Sequence, residues 1–444
     1  MKVTLKISRS LLAKGLDDLE RPHPFAHERL GFFSLRRSTR NNHTVLLATD
    51  YHEIADDLYI RDPHCGGRIG GEAIRQAMGR SIGGGVGQLW VHTHGRSGVP
   101  VASAVDCREG PRVAQSLANA HASSFHGWAV LSEDGMCGEV IAPGSSIAPI
   151  QDFSVVGFPM LLPDRSPPPR KRGFLDFLRP FEAVDYDRQS FLGEDSQAIF
   201  SKARIGVVGL GGGGSHVCQQ LAHIGFLNLV LCDDDRTEKT NLNRLIGATM
   251  RDAIKRRHKT AIAARLIKAL HSSAVLSDAP ASWEEKREQL RECDIVFGCL
   301  DSFRARRDLE AFCRSHQIPL IDIGMMVLPD RNEISGQVAL SLPGESCLHC
   351  LRVLTPENLA EEAQGYGAGK QPQVVWPNGI LASAAVGYAV QLLTGWSGKA
   401  PHARLDYRGS TATLSPSNLL PLLKTIPCSH YPLDASGDPV FKRL

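Results

Sequence analysis

The sequence predicts an α/β protein in two parts: an α+β domain at the N-terminus, then a doubly wound sheet with helices on both faces. Three observations carry that reading. At 444 residues the chain is too long for one compact core. Residues 163–173 contain Pro167, Pro168 and Pro169 beside Arg170, Lys171 and Arg172, a run that fits neither a helix nor a sheet interior and reads as an extended linker. Beyond it, apolar β-branched runs alternate with helical patterns; before it, short strands alternate with polar loops. The expected boundaries are 1–162 for the first domain, 163–180 for the basic linker and 181–444 for the second domain.

The second domain is organised around residues 203–244. Ile205, Val207 and Val208 read as a buried parallel strand, which passes into Gly209, Gly211, Gly212, Gly213 and Gly214 and then into a helical pattern through Leu221. Strand, glycine turn and helix together make a Rossmann-like nucleotide fingerprint. Glycines let a phosphate approach backbone N–H groups at a helix N-terminus, where a Cβ would obstruct it. A second apolar run, 227–232, ends at Asp233, Asp234 and Asp235, and an acid at that strand end can hold a ribose hydroxyl. Such fingerprints most often belong to dehydrogenases. Asn241 and Arg244, followed by a basic helix with Lys259, suit a triphosphate better than a dinucleotide. A third strand in 293–302 carries Asp301 at its carboxyl end, placed to hold Mg²⁺.

Glycine turn, acidic triplet, Asn241 with Arg244, Lys259 and the Leu300-Asp301-Ser302 strand end, in that order, resemble the ubiquitin-activating-enzyme-like family of ThiF/MoeB/HesA adenylyltransferases. The resemblance covers roughly the last 260 residues of the chain. It implies that Gly209, Gly211, Gly212 and Gly214 cradle ATP, that Asp233 takes the ribose, that Asn241, Arg244 and Lys259 hold phosphates, and that Asp301 coordinates Mg²⁺. It also implies a homodimer in which Arg188, beside Tyr186, reaches the neighbouring subunit's phosphates.

Composition sets the outer limits. A hydrophobic fraction of 42% with 22% charged residues is that of a globular protein, and a formal charge of +3 over this length calls for no nucleic-acid partner. The N-terminus lacks the apolar run of a signal peptide, and the longest apolar helical stretch, 380–393, is too short to span a bilayer, so no membrane is expected. Eleven scattered cysteines suit reduced thiols and metal ligands, hence a cytoplasmic setting.

In the first domain the chemistry gathers on a strand at 88–94. His92 and His94 stand two apart, on one face of a strand, where both can reach one metal; Ser103 and Asp106 follow. Separately, each pair has a bland reading, as surface histidines and as a helix capping box. Together they resemble the JAB/JAMM metalloprotease family, which cleaves ubiquitin-like proteins from their attachments. That resemblance implies a catalytic Zn²⁺ on His92, His94 and Asp106, a general base at Glu28, and Ser103 steadying the oxyanion. Glu53 is the other candidate base, on an acidic stretch at 50–57 that reads as a solvated loop. Gly95 stands where that family commonly has proline.

The tail holds Cys347 and Cys350, a pair with which the adenylyltransferase family commonly opens a structural zinc site. Here only Cys428 and His430 remain to close it, so the alternatives are a mixed Cys/His site or buried thiols. Residues 351–379 contain no cysteine where thioester-forming relatives usually carry one. The expected function is bifunctional: adenylation of the C-terminal carboxylate of a ubiquitin-like protein, and zinc-dependent processing or removal of that protein, with a ubiquitin-conjugating-like enzyme as a further partner. The resemblance links some such fusions to phage defence. A sulfur-carrier-protein adenylyltransferase and a non-catalytic scaffold stand as alternatives.

Overall fold

Residues 1–40, 42–144, 146–164, 184–328, 332–363, 372–423 and 428–439 are described by the computed structural model, so most of the expected linker lies outside the described residues. The chain divides into two units. One comprises Met1–Gly157, Ser315–Gln317 and Pro432–Leu444; the other comprises Phe158–Arg314 and Ile318–Tyr431.

The first unit, among its described residues, forms one mixed sheet of eight strands: β1 (Lys2–Ser8), β2 (Gly31–Arg40), β3 (His43–Glu53), β4 (Gly87–His92), β5 (His126–Leu131), β6 (Met136–Ile141), β7 (Ile147–Pro149) and β8 (Asp152–Val156). Their order is β7-β6-β5-β4-β2-β3-β1-β8. With α1 (Arg9–Leu19), α2 (Gly71–Gly84) and α3 (Ala104–Ala120), this is an α+β arrangement. β4 lies between β2 and β5 and is buried throughout, its polar residues Gln88 and His92 included. The segment expected as a glycine-rich approach to β4 is instead largely helix: α2 runs on to Gly84, and Gly85, at φ 62°, provides the left-handed cap. Asp50 and Glu53 belong to β3, not to a solvated loop. β4 covers only Gly31–Leu35 of β2, and the chain's tail meets the rest: Asp438 N–H donates to Arg37 O at 2.7 Å, and Thr39 N–H to Asp438 Oδ2 at 2.8 Å. This pairing is why Pro432 onward joins the first unit rather than the second, against the expected boundary.

The second unit also has eight described strands: β9 (Arg204–Val208), β10 (Asn228–Cys232), β11 (Val275–Ser277), β12 (Ile295–Gly298), β13 (Leu320–Leu328), β14 (Glu333–Ser341), β15 (Arg404–Arg408) and β16 (Thr413–Pro416). Their order is β11-β10-β9-β12-β13-β14-β15-β16, parallel as far as β13 and antiparallel thereafter. The parallel half is the Rossmann-like arrangement the sequence predicts. The antiparallel half goes beyond it, and β13 extends to residue 328 because nine of its residues pair with β14. The helices are α4 (Ser196–Lys202), α5 (Gly212–Ile224), α6 (Met250–Ile254), α7 (Lys259–Leu270), α8 (Arg287–Leu290), α9 (Phe303–Ser315), α10 (Pro356–Ala363), α11 (Val375–Thr394) and α12 (Leu420–Leu423).

Adjacent strand residues face opposite layers. Val207 and Phe297 pack with Val217 and Leu221 of α5 and Leu381 and Ala385 of α11, while Val208 and Val296 pack with Leu290, Leu309 and Cys313. Both faces are covered, as a parallel sheet requires. α11 is buried along much of its length, and among the described residues no helix is long and apolar enough to cross a membrane.

Candidate functional site

The strand order of the second unit reverses between β9 and β12, and a cavity of about 550 Å³ opens there, at the carboxyl ends of the strands. Gly209, Gly211, Gly212 and Gly213 line it. Gly209 has φ +86°, and a Cβ on it would lie 2.5 Å from Cys299 O, so only glycine fits. At Gly211 a Cβ would meet nothing, leaving open space where a phosphate can approach the start of α5. Gly214 departs from the expected cradle. It is not among the cavity residues, and a Cβ on it would fall 1.9 Å from Gly209 O, so its smallness lets the helix pack onto the turn.

The other expected nucleotide residues also line the cavity. Asp233 Oδ2 accepts from Leu210 N–H at 2.7 Å and Oδ1 from Asp235 N–H at 2.9 Å, which ties the acid to the glycine turn. Burial pushes its carboxyl above the ordinary range, against the pull of Lys259 and those two N–H groups. Lys259, the first residue of α7, places Nζ 2.6 Å from Asp235 and 3.5 Å from Asp233. Asn241 Oδ1 accepts from Glu238 N–H at 2.8 Å. Arg244 donates to Thr240 O at 2.8 Å, and burial lowers its pKa. Asp301 is exposed to the cavity just past β12. Arg188 sits exposed in a 3₁₀ turn at Asp187–Leu192 and is not part of the cavity lining.

Three cavity arginines were announced by no motif. Arg306 of α9 is buried and donates to Leu300 O at 2.8 Å and to Ile323 O at 3.3 Å. Arg404 donates to Asp406 at 2.7 Å and to Leu351 O. Arg352 completes the set. The high hydrophilicity of α9 was the only available signal for Arg306.

In the first unit β4 ends at His92, so His94 lies in the following turn rather than on the strand. The two rings still converge. Their Nε2 atoms are 3.2 Å apart, Asp106 Oδ1 is 3.1 Å from His92 Nε2, and Asp106 Oδ2 is 3.3 Å from His94 Nε2. Glu28 offers an oxygen within 4.8 Å of the two histidine nitrogens. The Glu28 and His27 N–H groups both donate to Gly66 O, at 3.0 and 2.8 Å, and a Cβ on Gly66 would strike the Glu28 carboxyl at 2.3 Å. Glu53 lies instead 3.6 Å from Arg21. His94 Nδ1 is 3.0 Å from Val101 O, which favours a proton there and a free lone pair on Nε2. Burial opposes ionisation of Asp106, but hydrogen bonds from His92 and Ser103 outweigh it and hold its carboxyl well below the usual range. Ser103 is the N-cap of α3: its Oγ accepts from Asp106 N–H at 3.2 Å while Asp106 Oδ2 accepts from Ser103 N–H at 2.7 Å. The capping box and the His/Asp cluster therefore share one carboxylate. Two imidazoles and a carboxylate meeting at about 3 Å suit a tetrahedral metal with one open position.

A third cluster belongs to the second unit. Ligand atoms of Cys347, Cys350, Cys428 and His430 all lie within 4.8 Å of one another, with His430 Nδ1 3.5 Å from Cys350 Sγ and 3.6 Å from Cys347 Sγ. His430 thus stands with the three cysteines, and the donor set fits zinc. Glu310, fully buried in α9, accepts from Leu348 N–H at 2.7 Å and from Ser341 Oγ at 2.6 Å, pinning the turn between the first two cysteines.

The chain is 28% identical over 236 residues to the sulfur carrier protein ThiS adenylyltransferase of Escherichia coli (strain K12), covering 52% of this chain and 86% of that one. It is also 28% identical over 255 residues to the molybdopterin-synthase adenylyltransferase of the same strain, covering 54% and 93%. The structure of E. coli MccB with ATP superposes with a TM-score of 0.43 at 21% identity, over 50% of this chain and 66% of that one. The family match spans residues 186–421, so the metalloprotease resemblance of the first unit lies outside it and rests on side-chain geometry alone. That match covers more than half of the chain, and the protein belongs to the ThiF family.

Proposed function

We propose that the second unit adenylates the C-terminal carboxylate of a small carrier protein, using ATP. The observation that carries this reading is the cavity at the strand-order reversal, where the glycine turn, Asp233, Arg244, Lys259 and Asp301 all face one space. A carboxylate oxygen of the carrier bonds to the α-phosphorus, the bond from that phosphorus to the bridging oxygen breaks, and pyrophosphate leaves with the electron pair. Lys259 and Arg244 neutralise the charge on the phosphates and fix their position, which is where most of the rate enhancement arises. Mg²⁺, when bound, would supply further charge neutralisation, and Asp301, which lines the cavity, would be the carboxylate that holds it. Arg188 belongs to this reading as a residue donated to a second copy's phosphates in a homodimer.

The two E. coli relatives are named for sulfur-carrier and molybdopterin chemistry, which favours a sulfur-carrier or related ubiquitin-like protein over a conjugation substrate. The chain's own thiols agree with direct transfer of the adenylate. Residues 351–379 hold no cysteine, and the cysteines that line the cavity among the described residues, Cys232 and Cys299, both have their thiols pushed far up by burial and so are poor nucleophiles.

A second reading applies to the first unit: a metal-dependent peptidase acting on the same class of carrier. It is favoured by the convergence of His92, His94 and Asp106, with Glu28 beside them. Zinc would supply Lewis-acid polarisation there; Glu28 would take a proton from water and Ser103 Oγ–H would steady the oxyanion. Cys347, Cys350, Cys428 and His430 would hold a structural zinc.

The test is ATP–pyrophosphate exchange in the presence of a carrier protein ending in Gly-Gly. Exchange is expected in the wild type and in Glu28→Ala, and is expected to vanish in Asp301→Ala. Undiminished exchange in Asp301→Ala would overturn the assignment of the cavity.

A further inference from the structure

We propose that Arg352 is the residue that selects the free terminal carboxylate of the incoming protein tail, an inference that rests on the adenylation reading above. Among the described residues, five cationic side chains line the cavity, and four of them are already engaged by protein acceptors: Arg244 by Thr240 O, Lys259 by Asp235, Arg306 by Leu300 O and Arg404 by Asp406. Among the described residues, Arg352 makes no hydrogen bond through its guanidinium and is exposed to the cavity. Its charge is felt by the exposed Glu357 of α10, but with no hydrogen bond made, its fork of N–H groups is matched to a planar, bidentate anion, which is what a carboxylate is.

Its place along the sheet separates it from the nucleotide. Asp233 follows β10 and the glycine turn follows β9, so ribose and phosphates occupy that side of the crevice. Arg352 belongs to the opposite side, because Arg404 of β15 donates to the neighbouring Leu351 O, and β15 lies beyond β13 and β14 in the strand order. Gln337 of β14 and Met325 of β13 line the cavity on that side. A tail entering there brings its carboxylate toward the α-phosphorus from the side away from the ribose.

The backbone holds the residue firmly. Arg352 adopts φ +53°, a left-handed conformation that non-glycine residues rarely take. The turn after Cys347 enforces it: Leu351 N–H donates to Cys347 O at 2.8 Å, Arg352 N–H to His349 O at 3.0 Å and Val353 N–H to Leu348 O at 2.9 Å. Glu310 anchors Leu348 from below. The Cys/His cluster therefore sets the point from which Arg352 reaches into the cavity.

Calorimetric titrations test this with a synthetic hexapeptide ending in Gly-Gly, as free acid or as C-terminal amide, in the presence of Mg²⁺ and a non-hydrolysable ATP analogue. The wild type is expected to bind the acid at least ~10-fold more tightly than the amide. Arg352→Gly accepts the left-handed backbone and should melt no lower than the wild type. It and Arg352→Gln should reduce the preference to about one while leaving MgATP affinity within ~2-fold, and Arg352→Lys should keep part of the preference. Retained acid preference in Arg352→Gly overturns the proposal, and retained preference with weakened MgATP reassigns the side chain to the phosphates. Absence of MgATP binding in the wild type refutes the adenylation reading itself, and this inference with it.

Discussion

Gly211 and Gly214 stand three residues apart in one turn, and alanine at each should produce opposite phenotypes. At Gly214 the new Cβ would lie 1.9 Å from Gly209 O, a backbone atom that cannot swing aside. Helix propensity would favour the alanine by about 1 kcal/mol. Overpacking against a backbone carbonyl costs about 3 kcal/mol, so the net loss is about 2 kcal/mol. In a domain of this size that lowers Tm by roughly 4–8 °C. At Gly211, the N-cap of α5, a Cβ meets nothing within 4 Å. Loss of the N-cap preference, about 1 kcal/mol, is largely offset by the lower entropy of the unfolded chain. The methyl group would instead occupy the space above the first turn of α5, so MgATP affinity should fall by at least ~10-fold, about 1.4 kcal/mol, with little change in Tm. Urea denaturation and calorimetric titration with MgATP measure the two effects. A Gly214→Ala protein as stable as the wild type, or a Gly211→Ala protein that binds MgATP normally, would refute this account of the turn.

In the first unit, Glu28→Gln should abolish peptide cleavage while leaving zinc content unchanged by atomic emission, whereas Asp106→Asn should lower zinc affinity by more than the ~10–100-fold lost when an outer partner of a metal ligand is removed. Ser103→Ala separates capping from metal binding: it should cost about 1 kcal/mol of stability and retain the metal. His126, fully buried, accepts from Gln88 N–H at Nδ1 and sits with Nε2 3.0 Å from His121 O, an arrangement that suits the neutral ring. Burial is the main cause lowering its pKa to about 4, below the ordinary 6.5. The unfolded chain therefore binds more protons between those values. The resulting stability, about 3 kcal/mol, is present above pH 6.5 and is lost as pH falls toward 4. Urea midpoints across that window should slope upward with pH, and His126→Gln should flatten the slope. Lys259 is held by Asp235, whose side chain is 69% exposed, and a nucleotide must compete for that ammonium. A pair so exposed contributes at most about 1 kcal/mol, so Asp235→Asn should tighten MgATP binding by up to ~5-fold in calorimetry; weaker binding would mean that Asp235 itself contacts the nucleotide.

Where a segment's burial follows from its own composition, its place in the fold was legible in the sequence. β9, β10 and β12 are apolar runs because both faces of a parallel sheet are covered, and each leads into residues that line the cavity. α11 was legible for the same reason. The antiparallel extension was not. β14 mixes exposed, half-buried and buried positions without clean alternation, and β15 and β16 are short and largely uncovered, so no periodicity identified them. The glycines before β4 illustrate the opposite error. Gly79, Gly83 and Gly84 carry little helix propensity, yet α2 continues through them because Ala73, Ala77 and Ser81 form a buried face at helical spacing.

The same distinction governs the sites. His92, His94 and Asp106 could be read from spacing because a strand end and a helix cap bring them together locally, within fifteen residues. Cys347 and Cys350 share one turn, and only their partners Cys428 and His430 required the tail to return. Arg306, Arg352 and Arg404 come from α9, a cysteine-bearing turn and β15, three segments with no common pattern. What unites them is the strand order, which carries β13 through β15 past the nucleotide side of the crevice and makes a second wall there. A nucleotide half can be recognised from its turn, because a phosphate needs backbone N–H groups at fixed positions. The wall that meets a protein tail has no such requirement, since a carboxylate can be met by any guanidinium that reaches it. Selectivity for the tail therefore resides in residues whose proximity only the completed sheet creates.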